Sequence, residues 1–160
     1  MFTDTAQELA IETLNICKQV EIAAPIEVVF QTLLEQLGPD AHMPDGRPFP
    51  FKLEPWPGGR WYRDLGHNSG HLWGHVQVIK PPTLLELTGP LCMSYAAVNH
   101  VQYRLTEQGR GTRLMLTHTA MGEILPEHRD GMPEGWTHGL EMIREVAERR
   151  GRTRSDRAPR

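Results

Sequence analysis

GWTHGLEMIREVAERR, residues 135–150, is the one long amphipathic segment of this chain, and it follows a run of short alternating segments. Trp136, Leu140, Ile143 and Ala147 share one side at helical spacing, and Glu141, Arg144, Glu145 and Glu148 share the other. Such a segment is a helix with a single apolar stripe to bury. Glu141 pairs at i, i+3 with Arg144, and Glu145 at i, i+4 with Arg149. The helix is expected from about Pro133 to Arg149, with Pro126–Gly131 as a separate short turn, because Pro133 has no amide proton to give inside a helix.

Upstream, the periods change from 3.6 to 2. Residues 5–14 are expected to form a short leading helix. Residues 15–23, NICKQVEIA, alternate as a strand with Val20 and Ile22 on its inner face. Pro25 suits the first turn of the next helix, IEVVFQTLLEQLG, in which Val29, Leu33 and Leu37 recur at i, i+4, i+8. Gly38-Pro39 stops it. The Pro- and Gly-rich residues 39–58 read as a covering segment with one short strand at Phe51–Glu54.

Five strands follow: Gly59–Leu65, Gly70–Ile79, Leu84–Thr88, Val98–Glu107 and Arg113–Ala120. Pro81-Pro82 and Gly109–Gly111 mark two of the turns between them. Short turns between consecutive strands imply antiparallel pairing. The parity of the apolar residues turns Val76, Val78, Leu85, Leu87, Val101, Tyr103, Leu105, Leu114, Leu116 and His118 to one face. The fold class is α+β: a curved antiparallel sheet closed by a long C-terminal helix, with a hollow between them.

A chain of 160 residues with 39% hydrophobic and 23% charged residues fits one domain with its own core. That domain is expected over residues 1–149, and residues 150–160 as an Arg-rich disordered tail. The net charge of −3 hides an asymmetry: residues 149–160 carry +5, and the rest carries −8. An acidic body excludes nucleic acid as the main partner, because phosphate binding needs a clustered positive face. No apolar run is long enough to span a membrane, and with acidic opening residues no secretory leader is expected. Cys17 and Cys92 form no metal or redox spacing and are expected as free thiols in a cytoplasmic protein.

Five markers in order carry a resemblance: VEIAAPIEVVF, PGGRW, GHVQVIKPPTLLELT, GTRLMLTH, and GW opening the last helix. Over about residues 18–149 the chain resembles the START-like superfamily, also called SRPBCC. Within it, the chain is most similar to homologues of the C-terminal domain of heat-shock ATPase activators. The resemblance implies a helix-grip fold, whose bent sheet wraps the last helix around a cavity. Members of this superfamily include lipid carriers, hormone receptors, polyketide cyclases and co-chaperone domains, so the fold does not give the function. The resemblance turns Trp61 toward the cavity, makes Pro81-Pro82 a hairpin turn, points His118 inward on the last strand, and packs Trp136 at the helix start against the sheet. The chain departs from many relatives after the first helix, where GPDAHMPDGRPFPFKLEPW replaces an early Trp.

The candidate binding residues are Trp61, Arg63, Val76, Leu87, Tyr103, Leu116, His118, Trp136, Leu140 and Ile143. They form an apolar wall with a few polar groups, as a small-molecule site requires. An inward Arg63 pairs with a ligand carboxylate; an outward one is an exposed strand charge. His118 is either a hydrogen-bonding or acid–base group for a guest, or a buried histidine satisfied by a neighbour such as Tyr103. His67, His71 and His75 stand four apart, which on a strand separates i and i+4 by about 13 Å, too far to share one metal ion. No nucleophile motif, phosphate-cradling loop or dinucleotide fingerprint occurs, so neither metal nor cofactor is expected.

Three functions are therefore open. The leading one is binding of a small hydrophobic or amphipathic molecule, such as a lipid, between sheet and helix. The second is a chaperone ATPase-activator-like interaction module. The third is a small cyclase- or hydrolase-type enzyme with His118 as general base and Tyr103 as acid. The outer-face residues His100, Gln102 and Arg104 leave the oligomeric state open.

Overall fold

The computed structural model describes residues 1–157. The elements in chain order are β1 (Glu12–Ile22), α1 (Ile26–Gln36), β2 (Lys52–Leu53), β3 (Arg60–Gly66), β4 (Ser69–Lys80), β5 (Leu84–Gly89), β6 (Ala97–Gln108), β7 (Gly111–Gly122) and α2 (Pro126–Arg157). The strands form one antiparallel sheet in the order β1-β7-β6-β5-β4-β3-β2. The sheet curves around α2, the helix-grip arrangement of an α+β fold.

Cross-strand register explains which residues form the core. Val101 stands opposite His118, Tyr103 opposite Leu116, and Leu105 opposite Leu114. Directly opposed residues face the same side, so all six point inward, and all are buried. Leu85 and Leu87 on β5 continue that face. Leu140, Ile143 and Ala147 of α2 and Val29, Leu33 and Leu37 at and after α1 close over it. Full burial of one such side chain contributes about 1.5–3 kcal/mol.

Four sequence expectations are corrected. Residues 5–14 form no helix; residues 1–11 have no regular structure, and β1 already begins at Glu12. The β7 partner runs on to Gly122, so Glu12, Thr13 and Leu14 find ladder partners instead of helical ones. Val78 does not face in. A bulge at Gln77 shifts the β4–β5 register, placing Val78 opposite Glu86 on the outer face and Ile79 opposite Leu85 on the inner one. The closing helix begins at Pro126, not at Pro133, which lies inside it. Pro126 fills a first-turn position where no amide proton is needed. The bond lost at Pro133 is offset by anchors in the first two turns. The Arg129 guanidinium pairs with Glu12 at 2.9 Å and donates to the Thr13 carbonyl at 3.2 Å. His128 Nδ1 lies 2.7 Å from the Tyr95 hydroxyl.

The fourth correction is at the other end of the helix. It continues past Arg149 through residues 150–157, which sequence reading gave to a disordered tail. Arg150 ties this extension to α1, pairing with Glu35 and donating to the Thr32 hydroxyl at 3.3 Å. Residues 158–160, the rest of the expected tail, lie outside the described residues.

Candidate functional site

A partly enclosed cavity of about 360 Å³ lies between the sheet, the covering segment and α2. The first wall is aromatic. Phe51 meets Trp73 edge-on at 4.7 Å between ring centroids, Trp73 meets Trp61 at 5.3 Å, and Phe49 meets Phe51 at 5.5 Å. These are the favoured edge-to-face distances of aromatic pairs. Trp61 is buried, and its indole Nε1 donates to the Leu37 carbonyl at 2.7 Å. That bond ties the wall to the end of α1 and satisfies a carbonyl that the helix leaves unpaired. Trp61→Phe keeps one six-membered aromatic ring and loses the fused pyrrole ring with its donor. It is expected to lower the unfolding free energy by about 1–2 kcal/mol in urea denaturation, and unchanged stability would mean that the bond is not formed.

The second wall comes from α2 and β6. Trp136 and Ile143 project from the helix, and Tyr103 projects from the strand. The Tyr103 and Trp136 rings meet at 6.4 Å and 80°. Between the projecting side chains of the helix stand Gly135 and Gly139, whose bare backbone opens a trough. A Cβ built on either glycine meets no protein atom within 4 Å. Met43, Met132 and Met142 complete the lining with adaptable, polarizable side chains. None of the lining residues is Asp, Glu, Lys or Arg.

His118 lies behind this wall, not in it. Trp136 Nε1 donates to His118 Nδ1 at 3.0 Å. An indole nitrogen only donates, so His118 carries its proton on Nε2. Nε2 then donates to Asn99 Oδ1 at 2.7 Å. The Asn99 amide is held in turn by the Pro90 carbonyl at 3.2 Å and the Met93 sulfur at 3.5 Å. Burial pushes the His118 pKa down to about 4, so the ring is neutral at pH 7. Both ring nitrogens are thus committed inside the fold, and neither is free to take a proton from a guest. Burial also raises the Tyr103 pKa and keeps the hydroxyl protonated.

Of the ten residues expected from sequence, Trp61, Tyr103, Trp136 and Ile143 line the cavity. Val76, Leu87, Leu116 and Leu140 are buried core residues outside the lining. Arg63 is not in the lining either: its guanidinium lies 3.5 Å from the centroid of the Phe49 ring. This is a cation–π contact on the aromatic wall. Along the β3–β4 hairpin, His71 stands opposite Arg63 and His75 opposite Arg60, while His67 occupies the turn with φ of 51°.

Sequence reading passed over Phe49, Phe51, Trp73, Gly135, Gly139 and His138, all of which line the cavity. Two signals mark them in hindsight. Gly131, Gly135 and Gly139 recur every fourth residue within a helix, where glycine is unfavourable by about 1 kcal/mol each. Phe49 and Phe51 alternate in a segment that is otherwise rich in Pro and Gly.

Residues 23–148 match the profile of the family described as activator of Hsp90 ATPase homolog 1-like protein. No curated protein matches the chain. Solved structures share the fold at low identity. An uncharacterized protein from Rhizobium leguminosarum superposes with a TM-score of 0.68 at 17% identity, over 88% of this chain and 97% of that one. CalU16 from Micromonospora echinospora does so with 0.58 at 19%, over 93% and 96%. The Aha1 dimer from Colwellia psychrerythraea gives 0.60 at 15%, over 84% and 96%.

Proposed function

The chain belongs to the activator of Hsp90 ATPase homolog 1-like family, and from that premise we propose that it binds a small hydrophobic or amphipathic molecule in the cavity between sheet, covering segment and closing helix. The observation that carries this reading is an apolar space of about 360 Å³ that the protein's own side chains leave empty. Well-packed interiors hold few voids larger than a water molecule, and ligand sites begin near about 300 Å³. Trp61, Tyr103, Trp136 and Ile143 contact the guest in this reading. Val76, Leu87, Leu116 and Leu140 support the walls from behind, and His118 fixes the Trp136 indole.

Burying about 250 Å² of apolar guest surface contributes roughly 6 kcal/mol, which corresponds to dissociation constants in the tens of micromolar. The test is a titration with N-phenyl-1-naphthylamine, a neutral dye that brightens in apolar surroundings. Saturable enhancement at one site per chain is expected; a signal that rises linearly without saturating would reject the reading. The setting we assign is the cytoplasm. Cys17 and Cys92 are both free thiols, which suits a reducing compartment. No helix among the described residues is long and apolar enough to cross a membrane.

The family match favours a second reading, in which the domain docks on a chaperone and alters its ATPase rate. An unchanged ATPase rate in the presence of excess protein would remove it. The enzyme reading is the weakest of the three, because both ring nitrogens of His118 are held by Trp136 and Asn99.

A further inference from the structure

Which guest the cavity takes can be narrowed from its lining, given the ligand-binding reading above. The aromatic wall of Phe51, Trp61 and Trp73 presents ring edges and faces, and Tyr103 and Trp136 do the same from the opposite side. Ring edges and faces on both sides favour a flat conjugated guest, which meets them edge-to-face or offset, over a puckered saturated one. The three methionine sulfurs add favourable contacts to an aromatic ring but none specific to an alkyl chain. The trough from Gly135 to Gly139 runs about 6 Å along the helix at 1.5 Å per residue, close to the length of two fused rings.

The polar groups set the charge and the anchors. No Asp, Glu, Lys or Arg lines the cavity, so an ionised guest loses its hydration with no permanent countercharge to replace it. The polar side chains of the lining are Gln36, His42, Tyr103 and His138, and one of them holds an orphaned atom. His138 Nε2 is cut off from solvent and has no hydrogen-bond partner among the described residues. Tyr103 lines the cavity from the strand side, its ring edge-on to Trp136. Buried polar groups without partners are rare in native proteins, and each calls for something to satisfy it.

We propose that the guest is an uncharged, planar aromatic molecule with one hydrogen-bonding substituent, its ring lying along the Gly135–Gly139 trough and its substituent between His138 and Tyr103. A phenol-type hydroxyl meets both demands, donating to one anchor and accepting from the other. An aliphatic chain satisfies neither the walls nor the trough, and a carboxylate adds a charge that no lysine or arginine of the lining balances.

Isothermal titration calorimetry on the whole chain with four probes tests this. They are 2-naphthol, its saturated counterpart decahydro-2-naphthol, 2-naphthoate and naphthalene. The expected order places 2-naphthol about tenfold or more ahead of both decahydro-2-naphthol and 2-naphthoate. A second comparison isolates the anchors. In the Tyr103→Phe, His138→Phe double variant, the advantage of 2-naphthol over naphthalene falls to about one. Equal binding of the saturated probe overturns the planar-guest claim, and equal binding of the carboxylate overturns the uncharged one. An unchanged naphthol-to-naphthalene ratio in the double variant overturns the anchors. If none of the four probes binds while N-phenyl-1-naphthylamine still saturates, this guest class falls and the cavity reading stands.

Discussion

Replacing His118 by Leu is expected to lower the unfolding free energy by about 3 kcal/mol at pH 7, or roughly 10 °C in melting temperature. The loss comes from what remains behind. Trp136 Nε1 and Asn99 Oδ1 both lose their partner, and a buried polar atom left unsatisfied costs about 1–3 kcal/mol. The size of this loss should depend on pH. Burial holds the folded-state pKa of His118 near 4, below the ordinary value of 6.5. As pH falls from 6.5 towards 4, the unfolded chain therefore binds a proton that the folded chain refuses. The parent loses up to about 3 kcal/mol across this window, whereas His118→Leu has no such loss. The gap between the two proteins, read by urea denaturation, should thus narrow as pH falls from 7 to 4.5. A gap that stays constant would mean that His118 is not the buried, neutral link described here.

The second large effect is on binding. Leucine at both Gly135 and Gly139 fills the trough from the helix side and is expected to weaken N-phenyl-1-naphthylamine binding at least about a hundredfold. The same double variant should be more stable than the parent, by about 1 kcal/mol per site, because glycine is a poor helix former and a Cβ at either position meets open space. Opposite signs separate this outcome from a damaged fold, which would lose binding and stability together. A variant that is stabilised yet binds the dye as before would move the site elsewhere.

The fold was legible in the sequence because its signals are periodic. Alternation on β5, β6 and β7 and the stripe Trp136, Leu140, Ile143 and Ala147 follow from residue type alone. What was not legible depended on neighbours. The bulge at Gln77 is a property of the pairing between β4 and β5, and it reverses Val78 and Ile79 without any local mark. The early start of α2 depends on Arg129 and His128 meeting Glu12 and Tyr95, residues 117 and 33 positions away. Pro133 pointed locally to a boundary that these distant contacts override.

The site was half legible for the same reason. Trp61, Tyr103, Trp136 and Ile143 lie on regular elements whose parity faces them inward. His118 shares that parity and is fully buried, yet Trp136 covers it, so inward direction alone did not place it against a guest. The remaining lining comes from the covering segment, where Phe49 and Phe51 fold over Trp73 without a period to announce them. Arg63 likewise faces the aromatic wall, but it spends its charge on the Phe49 ring instead of reaching the cavity.

The most direct measurement is a methyl NMR titration of the protein labelled at its methionine ε-carbons. Met43, Met132 and Met142 line the cavity, whereas Met1 and Met121 are exposed far from burial. On addition of 2-naphthol the first three signals should shift together and saturate at one equivalent site, while those of Met1 and Met121 stay in place. Shifts spread over all the methionines, or confined to Met1 and Met121, would contradict a guest held between the aromatic wall and the glycine trough.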